Sequence, residues 1–234
     1  MEEAKKRNIT VSLSDYTLGV GQGSYVDDAL NENPGLTGAE LKFESDTIQD
    51  KYAKTCHNQL LSLYAYQLGT DGKIIENSGI DLSGNLKGNK IEWQSPAEGN
   101  WIVTQVYSVA KKPSLDPMHP LSGKSYVKHF FQRFEDRFPE QSKGGLNFFF
   151  SDELNFNLHG YIWNSIFRDE FRKRKGYDIV PYLTALFTHI GPITPKIRLD
   201  YNDVMVSLSE ENFFIPVYQW HEDRNLIYGC DHGG

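Results

Sequence analysis

Two adjacent carboxylates, Asp152 and Glu153, end an uninterrupted apolar run, GGLNFFF, followed by one serine. A carboxyl group in partly apolar surroundings has a raised pKa, which suits it to protonate a leaving group as a general acid. A second carboxylate across a cleft would complete the pair that most glycosidases use. Helix capping is the structural alternative, because Asp and Glu are favoured at helix N-termini whatever the function.

Polar residues also end two other apolar segments. The segment NITVSLSDY ends in Asp15 and Tyr16, and the last apolar segment ends in Asp231 and His232. Parallel strands of an α/β fold end at one edge or face, where active sites lie. We therefore predict that these strand ends and the Asp152–Glu153 pair form one pocket.

The segments around these residues alternate between strand and helix. Hydrophobic residues at three- and four-residue steps predict helices over about 125–138, 159–174 and 201–224. The continuous run GGLNFFF is typical of a parallel strand that is covered on both faces. The order fits a doubly wound sheet or a barrel, and the three polar strand ends favour an α/β fold of the partial (β/α)8 TIM-type barrel.

Between the first helix and the later ones lies a β-rich insertion. Short strands alternate there with turn sequences such as TDGK, SGNLKGNK and SPAEGNW. We predict that residues 1–40 form the first part of the barrel, 41–112 the insertion and 113–234 the barrel's continuation. The opening EEAKKRN resembles the last turns of a helix, so we expect an incomplete barrel that belongs to a larger fold.

Composition argues against several classes of protein. The chain has 24 basic and 31 acidic residues, a net charge of −7 and no basic tract, which disfavours nucleic acid as a partner. No apolar run approaches the roughly 20 residues of a membrane span. The seven histidines show no tight zinc-ligand spacing, and His221 is expected on a solvated helix face. A disulfide between Cys56 and Cys230 is not expected, and the loop GVGQG lacks the spacing of nucleotide-binding loops.

Aromatic residues leave a second function open. The 14 Phe and 13 Tyr suit a sugar site and a core equally well. A carbohydrate-binding protein without catalysis could stack sugars on Tyr16, Trp93, Trp101 and Phe156. An aldolase or isomerase would need a lysine at a strand end, and the predicted strand ends offer none.

Several motifs, in this order, resemble the α-L-rhamnosidase-like glycoside hydrolases of family 106. These are GLNFFFSDELNF, GYDIVPYL and the segment LDYNDVMVSLSEENFF. The resemblance implies a (β/α) barrel with a β-rich insertion and a carbohydrate partner. It also implies inverting hydrolysis of α-L-rhamnosides or related glycans by two carboxylates, a calcium ion that can bind near the sugar, and a secreted or periplasmic location.

The resemblance assigns roles residue by residue. Glu153 matches the acid of the family's Asp-Glu strand end and is expected to be the general acid, with Asp152 orienting it or binding the sugar. Asp15 and Tyr16 match the first strand end and are expected to line the substrate site.

The last strand end has a less direct assignment. Family members are longer, so we expect the general base beyond Gly234 and this chain to be a piece of the enzyme. Within the chain Asp231 is the nearest substitute for the base, and His232 is expected to contact substrate.

Overall fold

A computed structural model describes residues 2–9, 11–14, 24–137, 146–151 and 154–230. Its α-helices, in chain order, are α1 Glu2–Lys6, α2 Ser24–Glu32, α3 Ser122–His129, α4 Phe131–Arg137, α5 Phe167–Lys175, α6 Thr184–Phe187, α7 Thr194–Ser209 and α8 Ile215–Glu222. Its strands are β1 Val11–Ser14, β2 Ala39–Ile48, β3 Lys51–Thr55, β4 Leu60–Gln67, β5 Ile80–Asp81, β6 Leu86–Lys87, β7 Lys90–Gln94, β8 Trp101–Ala110, β9 Leu146–Ser151, β10 Ile162–Trp163 and β11 Ile227–Cys230.

The chain forms two compact units. Unit 1 contains Met1–Ala39, Ala110–His159 and Val206–Gly234, and unit 2 contains Glu40–Val109 and Gly160–Met205. The three-part division predicted from the sequence stays a prediction. None of the helices in the described ranges combines the length and apolar character that a membrane-spanning helix needs.

The sheet of unit 1 is parallel, with β9 between β1 and β11. A strand that is hydrogen-bonded to parallel neighbours along both edges is typically an uninterrupted apolar sequence, because the helices that connect parallel strands cover the faces of such a sheet. The prediction of a parallel strand at GLNFFF is therefore confirmed. The register shifts by one residue between Val11 and Ser12, where β1 meets the start of β9.

Five of the 13 described residues buried in the core cluster of unit 1 are aromatic. The ring of Tyr126 meets Phe131 edge-to-face at 5.0 Å and lies 5.2 Å from Phe213. The Phe131 ring also contacts Trp220 at 5.7 Å. Each such side chain stabilises the fold by about 1.5–3 kcal/mol when it leaves water, so this cluster fixes α3, α4 and α8 together.

Three predicted helices differ from the observed ones. The helix predicted over 125–138 is two helices, because the backbone of Phe130 departs from helical geometry at φ −118° and ψ −78°. The helix predicted from about 159 starts only at Phe167, after the short strand β10. The helix predicted over 201–224 contains a π-helical turn at Glu210–Phe214, and its apolar Val206 is 48% exposed.

Unit 2 contains a five-stranded sheet, β10-β2-β8-β4-β5, and a three-stranded sheet, β3-β7-β6. Strand β8 runs antiparallel to β4, and β7 runs antiparallel to both β3 and β6. One apolar core takes side chains from both sheets, including Tyr52, Leu63, Ile91 and Val103. The prediction of a β-rich stretch between residues 40 and 110 is confirmed at this level.

The predicted partial (β/α)8 TIM-type barrel is wrong. Within the described ranges only three strands are parallel, their sheet is open, and the other strands form two antiparallel sheets. Hydrophobic periodicity identifies a strand but does not say which strands pair or in which direction. In unit 2, β3 pairs with β7 and β4 pairs with β8 across intervening strands, so the folded chain and not a local pattern determines these partners.

A buried hydrogen bond in unit 2 gives a first prediction. The hydroxyl groups of Thr104 and Thr184 are 2.9 Å apart, and both residues are fully buried. We expect Thr104→Val and Thr184→Val each to lower the free energy of unfolding by about 1–3 kcal/mol, because each removes one member of a buried polar pair. Urea denaturation measures the loss, with the exposed Thr47→Val as the matched control.

The double variant tests the pairing itself. It should lose less than the sum of the two single variants, since neither hydroxyl then remains without the other. Additive losses would show that the two hydroxyls contribute independently.

Candidate functional site

The three strands of unit 1 end level with one another. Ser14 of β1 and Gly229 of β11 are both aligned with Phe150 of β9, and Cys230 is aligned with Ser151. Because all three strands are parallel, their carboxyl ends meet at one edge of the sheet. Gly229 allows the close approach of β9, since a Cβ atom there would lie 3.1 Å from the Phe150 ring.

The six predicted site residues follow this edge in the sequence and lie outside the described residues. They are Asp15 and Tyr16 after Ser14, Asp152 and Glu153 after Ser151, and Asp231 and His232 after Cys230. Their assigned roles therefore stay predictions. The structure brings together the strand ends from which the three pairs continue.

The chain after Glu153 is packed into the core of unit 1. Leu154 is 9% exposed, and the ring of Phe156 contacts Phe213 edge-to-face at 4.8 Å. The Leu115 N–H donates to the Phe156 carbonyl at 3.3 Å, and the Asn157 side-chain amide donates to the Pro113 carbonyl at 2.5 Å. In the sequence, Asp152 and Glu153 thus lie between the end of β9 and the buried Leu154.

His221 of α8 supports β11 from inside the core. It is 1% exposed, its Nδ1 lies 2.8 Å from the Val217 carbonyl, and its ring is 4.7 Å from Tyr228. Burial lowers the pKa of its imidazole to about 4. The expectation of a solvated helix face is wrong, because His221 lies one turn after the fully buried Val217 on the face that packs inward.

Two carboxyl groups of unit 2, those of Glu44 and Asp178, form hydrogen-bonded ion pairs with basic side chains. The Glu44 carboxylate lies 2.9 Å from His57 Nε2 and accepts from Lys54 and Tyr107 at 3.1 Å each, and these bonds, with His57 first, lower its pKa. A carboxylate held ionised in this way is a poor general acid.

Asp178 is engaged in the same manner. It accepts from the Arg168 guanidinium with both carboxylate oxygens and from Arg172, which together lower its pKa to about 2. The Arg168 bonds contribute most to this shift. This carboxylate therefore has a structural role.

One of the predicted sugar-stacking residues is not available. Trp101 is 3% exposed, donates its indole N–H to the Ala97 carbonyl at 3.1 Å, and contacts the Trp93 ring at 5.6 Å inside the core of unit 2. The prediction that Trp101 stacks on a sugar is therefore wrong. Phe156 packs against the core of unit 1, and Tyr16 lies outside the described residues.

Metal ligands do not cluster in the described part of the chain. No group of three or more His, Cys, Asp or Glu side chains there could hold a metal ion. The calcium ion implied by the family resemblance stays a prediction. Cys56 is a buried free thiol whose pKa is raised by burial.

One supporting feature was missed by sequence reasoning. The π-helical turn at Glu210–Phe214 brings Phe213 and Phe214 against Phe156. Its sequence signal is Pro216, which interrupts an otherwise continuous helical pattern.

The common edge of β1, β9 and β11, with a polar pair after each strand in the sequence, is the candidate functional site. The sequence model of glycoside hydrolase family 106, described as alpha-L-rhamnosidase, matches residues 24–233. The chain therefore belongs to glycoside hydrolase family 106, and the resemblance inferred from its motifs is confirmed.

A search of curated proteins found no significant match. Among solved structures, the chain is similar to the structure of rhamnosidase from Novosphingobium sp. PP1Y, with 19% sequence identity and a TM-score of 0.48. The match covers 68% of this chain and spans 17% of that one, and a likeness at this level carries no argument about function.

The buried imidazole of His221 predicts that stability depends on pH. Its folded-state pKa of about 4 lies below the value of about 6.5 for an exposed histidine, so the unfolded chain binds the proton more tightly. The contribution of the neutral imidazole is complete above about pH 6.5 and is lost as the pH falls towards 4. The loss should be on the order of 3 kcal/mol.

Chemical denaturation at pH 7, 5.5 and 4 measures this loss, with His221→Phe compared against the parent chain. The variant should lose less stability between pH 7 and 4, and subtracting its curve cancels the contribution of carboxyl groups. The exposed His189→Phe is the matched control and should follow the parent chain. Equal slopes for His221→Phe and the parent would contradict the assignment.

Proposed function

We propose that this protein is a glycoside hydrolase that cleaves α-L-rhamnosides or related glycans with inversion of the anomeric centre. Membership of glycoside hydrolase family 106 supports the reaction class. The observation that carries the proposal is the common edge of β1, β9 and β11, because each strand is followed in the sequence by a residue pair that contains a carboxylate.

Glu153 is the proposed general acid. Glu153 lies two residues after the end of the central strand and directly before the buried Leu154. The Asp152–Glu153 pair thus joins a paired strand to a buried residue. A catalytic acid must be held close to the glycosidic oxygen, and a short span between two fixed segments supports this. Asp152 is the proposed partner that orients Glu153 or binds the sugar.

The remaining strand ends supply the proposed sugar contacts. Asp231 directly follows Cys230, which is aligned with Ser151, the residue before Asp152. Asp231 is thus the candidate base within this chain, with His232 as a substrate contact. Asp15 and Tyr16 follow β1 and would line the other side of the site.

The proposed reaction includes two proton transfers, one to the glycosidic oxygen and one from the attacking water. The Glu153 carboxyl gives its proton to the glycosidic oxygen as the bond to the anomeric carbon breaks, and the aglycone leaves as an alcohol. Water attacks the anomeric carbon from the opposite face and loses a proton to the base. Room for this water requires the two carboxyl groups to be about 6.5–9.5 Å apart.

Replacing the acid tests the central assignment. We expect Glu153→Gln in the full-length protein to lower kcat on an alkyl or disaccharide rhamnoside by about 10²–10⁴-fold, because these leaving groups need a proton. The loss on 2,4-dinitrophenyl α-L-rhamnoside should be much smaller, since that leaving group departs without protonation. Glu98→Gln, the same change at an exposed glutamate, is the matched control.

The dependence on leaving group separates an acid from a binding residue. Equal losses on both substrates would mean that Glu153 binds substrate and does not donate a proton. Unchanged turnover would overturn the assignment. Calorimetric binding of rhamnosides by the parent protein without any product would favour the alternative of a non-catalytic carbohydrate-binding protein.

The stereochemical outcome gives an independent prediction. Proton NMR during hydrolysis of an aryl α-L-rhamnoside should show the β-anomer of rhamnose first, followed by slow mutarotation to the equilibrium mixture. Direct attack by water inverts the anomeric carbon, whereas a covalent intermediate would give two inversions. Initial appearance of the α-anomer would exclude the inverting mechanism.

A further inference from the structure

We infer that Phe156 is a positioning residue for the candidate acid Glu153 and that the π-helical turn Glu210–Phe214 holds Phe156 in place. This inference rests on the proposed function. It assigns Phe156 no contact with substrate. Phe156 acts on Glu153 through the two residues that connect them, Leu154 and Asn155.

The π-helical turn has a cause in the sequence. Pro216 has no N–H to donate to the Asn212 carbonyl, and in a regular α-helix its ring would clash with that carbonyl. The backbone instead forms a wider turn, in which the Ile215 N–H bonds to the Glu210 carbonyl five residues earlier. Single π-helical turns within α-helices occur frequently at functional sites, because they displace side chains from regular helical positions.

The turn is locked against α3. A Cβ atom at Gly123 would lie only 2.5 Å from the Phe213 carbonyl oxygen, so glycine at this position permits the close approach. The Asn212 side-chain amide donates to the Met118 carbonyl at 2.8 Å, which fixes the turn to the segment before α3.

Two rings of the turn then hold Phe156. Phe213, which is fully buried, meets Phe156 edge-to-face at 4.8 Å and 88°, and Phe214 meets it at 6.2 Å and 85°. Edge-to-face contacts are a preferred arrangement of aromatic rings, so the two contacts orient the Phe156 side chain. The Leu115 N–H, which donates to the Phe156 carbonyl at 3.3 Å, restrains its backbone.

Only two residues separate Phe156 from Glu153 in the sequence. One of them, Leu154, is buried in the same core cluster as Phe213, so the segment has two anchors. A displacement of about 1 Å at a reacting group can cost about 10²-fold in rate, so a loosened anchor should affect turnover more than substrate affinity.

The test compares two phenylalanines of one cluster. Phe134 is partly buried in the same core and meets Phe130 edge-to-face at 5.7 Å, but it lies on α4. We expect Phe156→Leu to lower kcat on a disaccharide rhamnoside by at least about tenfold, with KM changed less than about threefold. Phe134→Leu should lower the melting temperature by a similar amount and leave kcat within about twofold. Phe156→Tyr, which keeps the ring, should restore most of kcat.

A second pair of variants moves the turn without shortening a side chain. Gly123→Ala must displace the π-helical turn and should also lower kcat, whereas Gly84→Ala adds a Cβ atom where nothing lies within 4 Å and should leave kcat unchanged. If Phe156→Leu does not fold at the assay temperature, the comparison of Gly123→Ala with Gly84→Ala tests the positioning role in its place. The milder Phe156→Met is measured with them.

The outcomes separate this inference from the proposed function. Equal kcat values for Phe156→Leu and Phe134→Leu, together with full activity of Gly123→Ala, would overturn the positioning role. Glu153→Gln is assayed in parallel on the same substrate. If the parent protein does not hydrolyse the substrate, the proposed function fails, and if Glu153→Gln keeps full turnover, the acid assignment fails. If Glu153→Gln is inactive while Phe156→Leu behaves like its control, only the positioning inference fails.

Discussion

The pairing of β9 with a parallel strand on each side is the constraint on which the candidate site depends. Backbone groups of a central strand are satisfied only by its neighbours, so the register of β1 and β11 is fixed relative to β9. That register brings Ser14, Ser151 and Cys230 to the same edge within one residue. The candidate site residues follow these strands directly in the sequence, so this common edge is the starting point for each of them.

The aromatic core of unit 1 determines how firmly that edge is supported. Tyr228 of β11 packs on His221 and Phe131, and Phe131 belongs to the same core cluster as Phe213. A close-packed aromatic cluster resists local shifts, because moving one ring opens contacts with several others. Strand β11, through Tyr228, and the segment beyond Glu153, through Leu154 and Phe156, therefore pack on one aromatic cluster, which includes residues of the π-helical turn.

Basic partners hold structural carboxylates ionised in both units. In unit 1, hydrogen bonds from Lys128 and His129 lower the pKa of Glu32. In unit 2, Glu44 and Asp178 each accept several charge-assisted hydrogen bonds, and both have lowered pKa values. A general acid needs the opposite environment, with apolar neighbours and few donors. The sequence next to β9, with phenylalanines on both sides of Asp152–Glu153, is of that kind.

The sequence by itself determined the parallel strand at GLNFFF, the helices of unit 1 in outline and the family, because hydrophobic period and motif order are local properties. The break at Phe130, the π-helical turn and the burial of His221 were decided by tertiary packing against other elements. Strand partners were decided in the same way. Between residues 40 and 110 the sequence indicates strands, but their antiparallel pairing and the open parallel sheet of unit 1 depend on contacts between distant segments, which a local pattern does not contain.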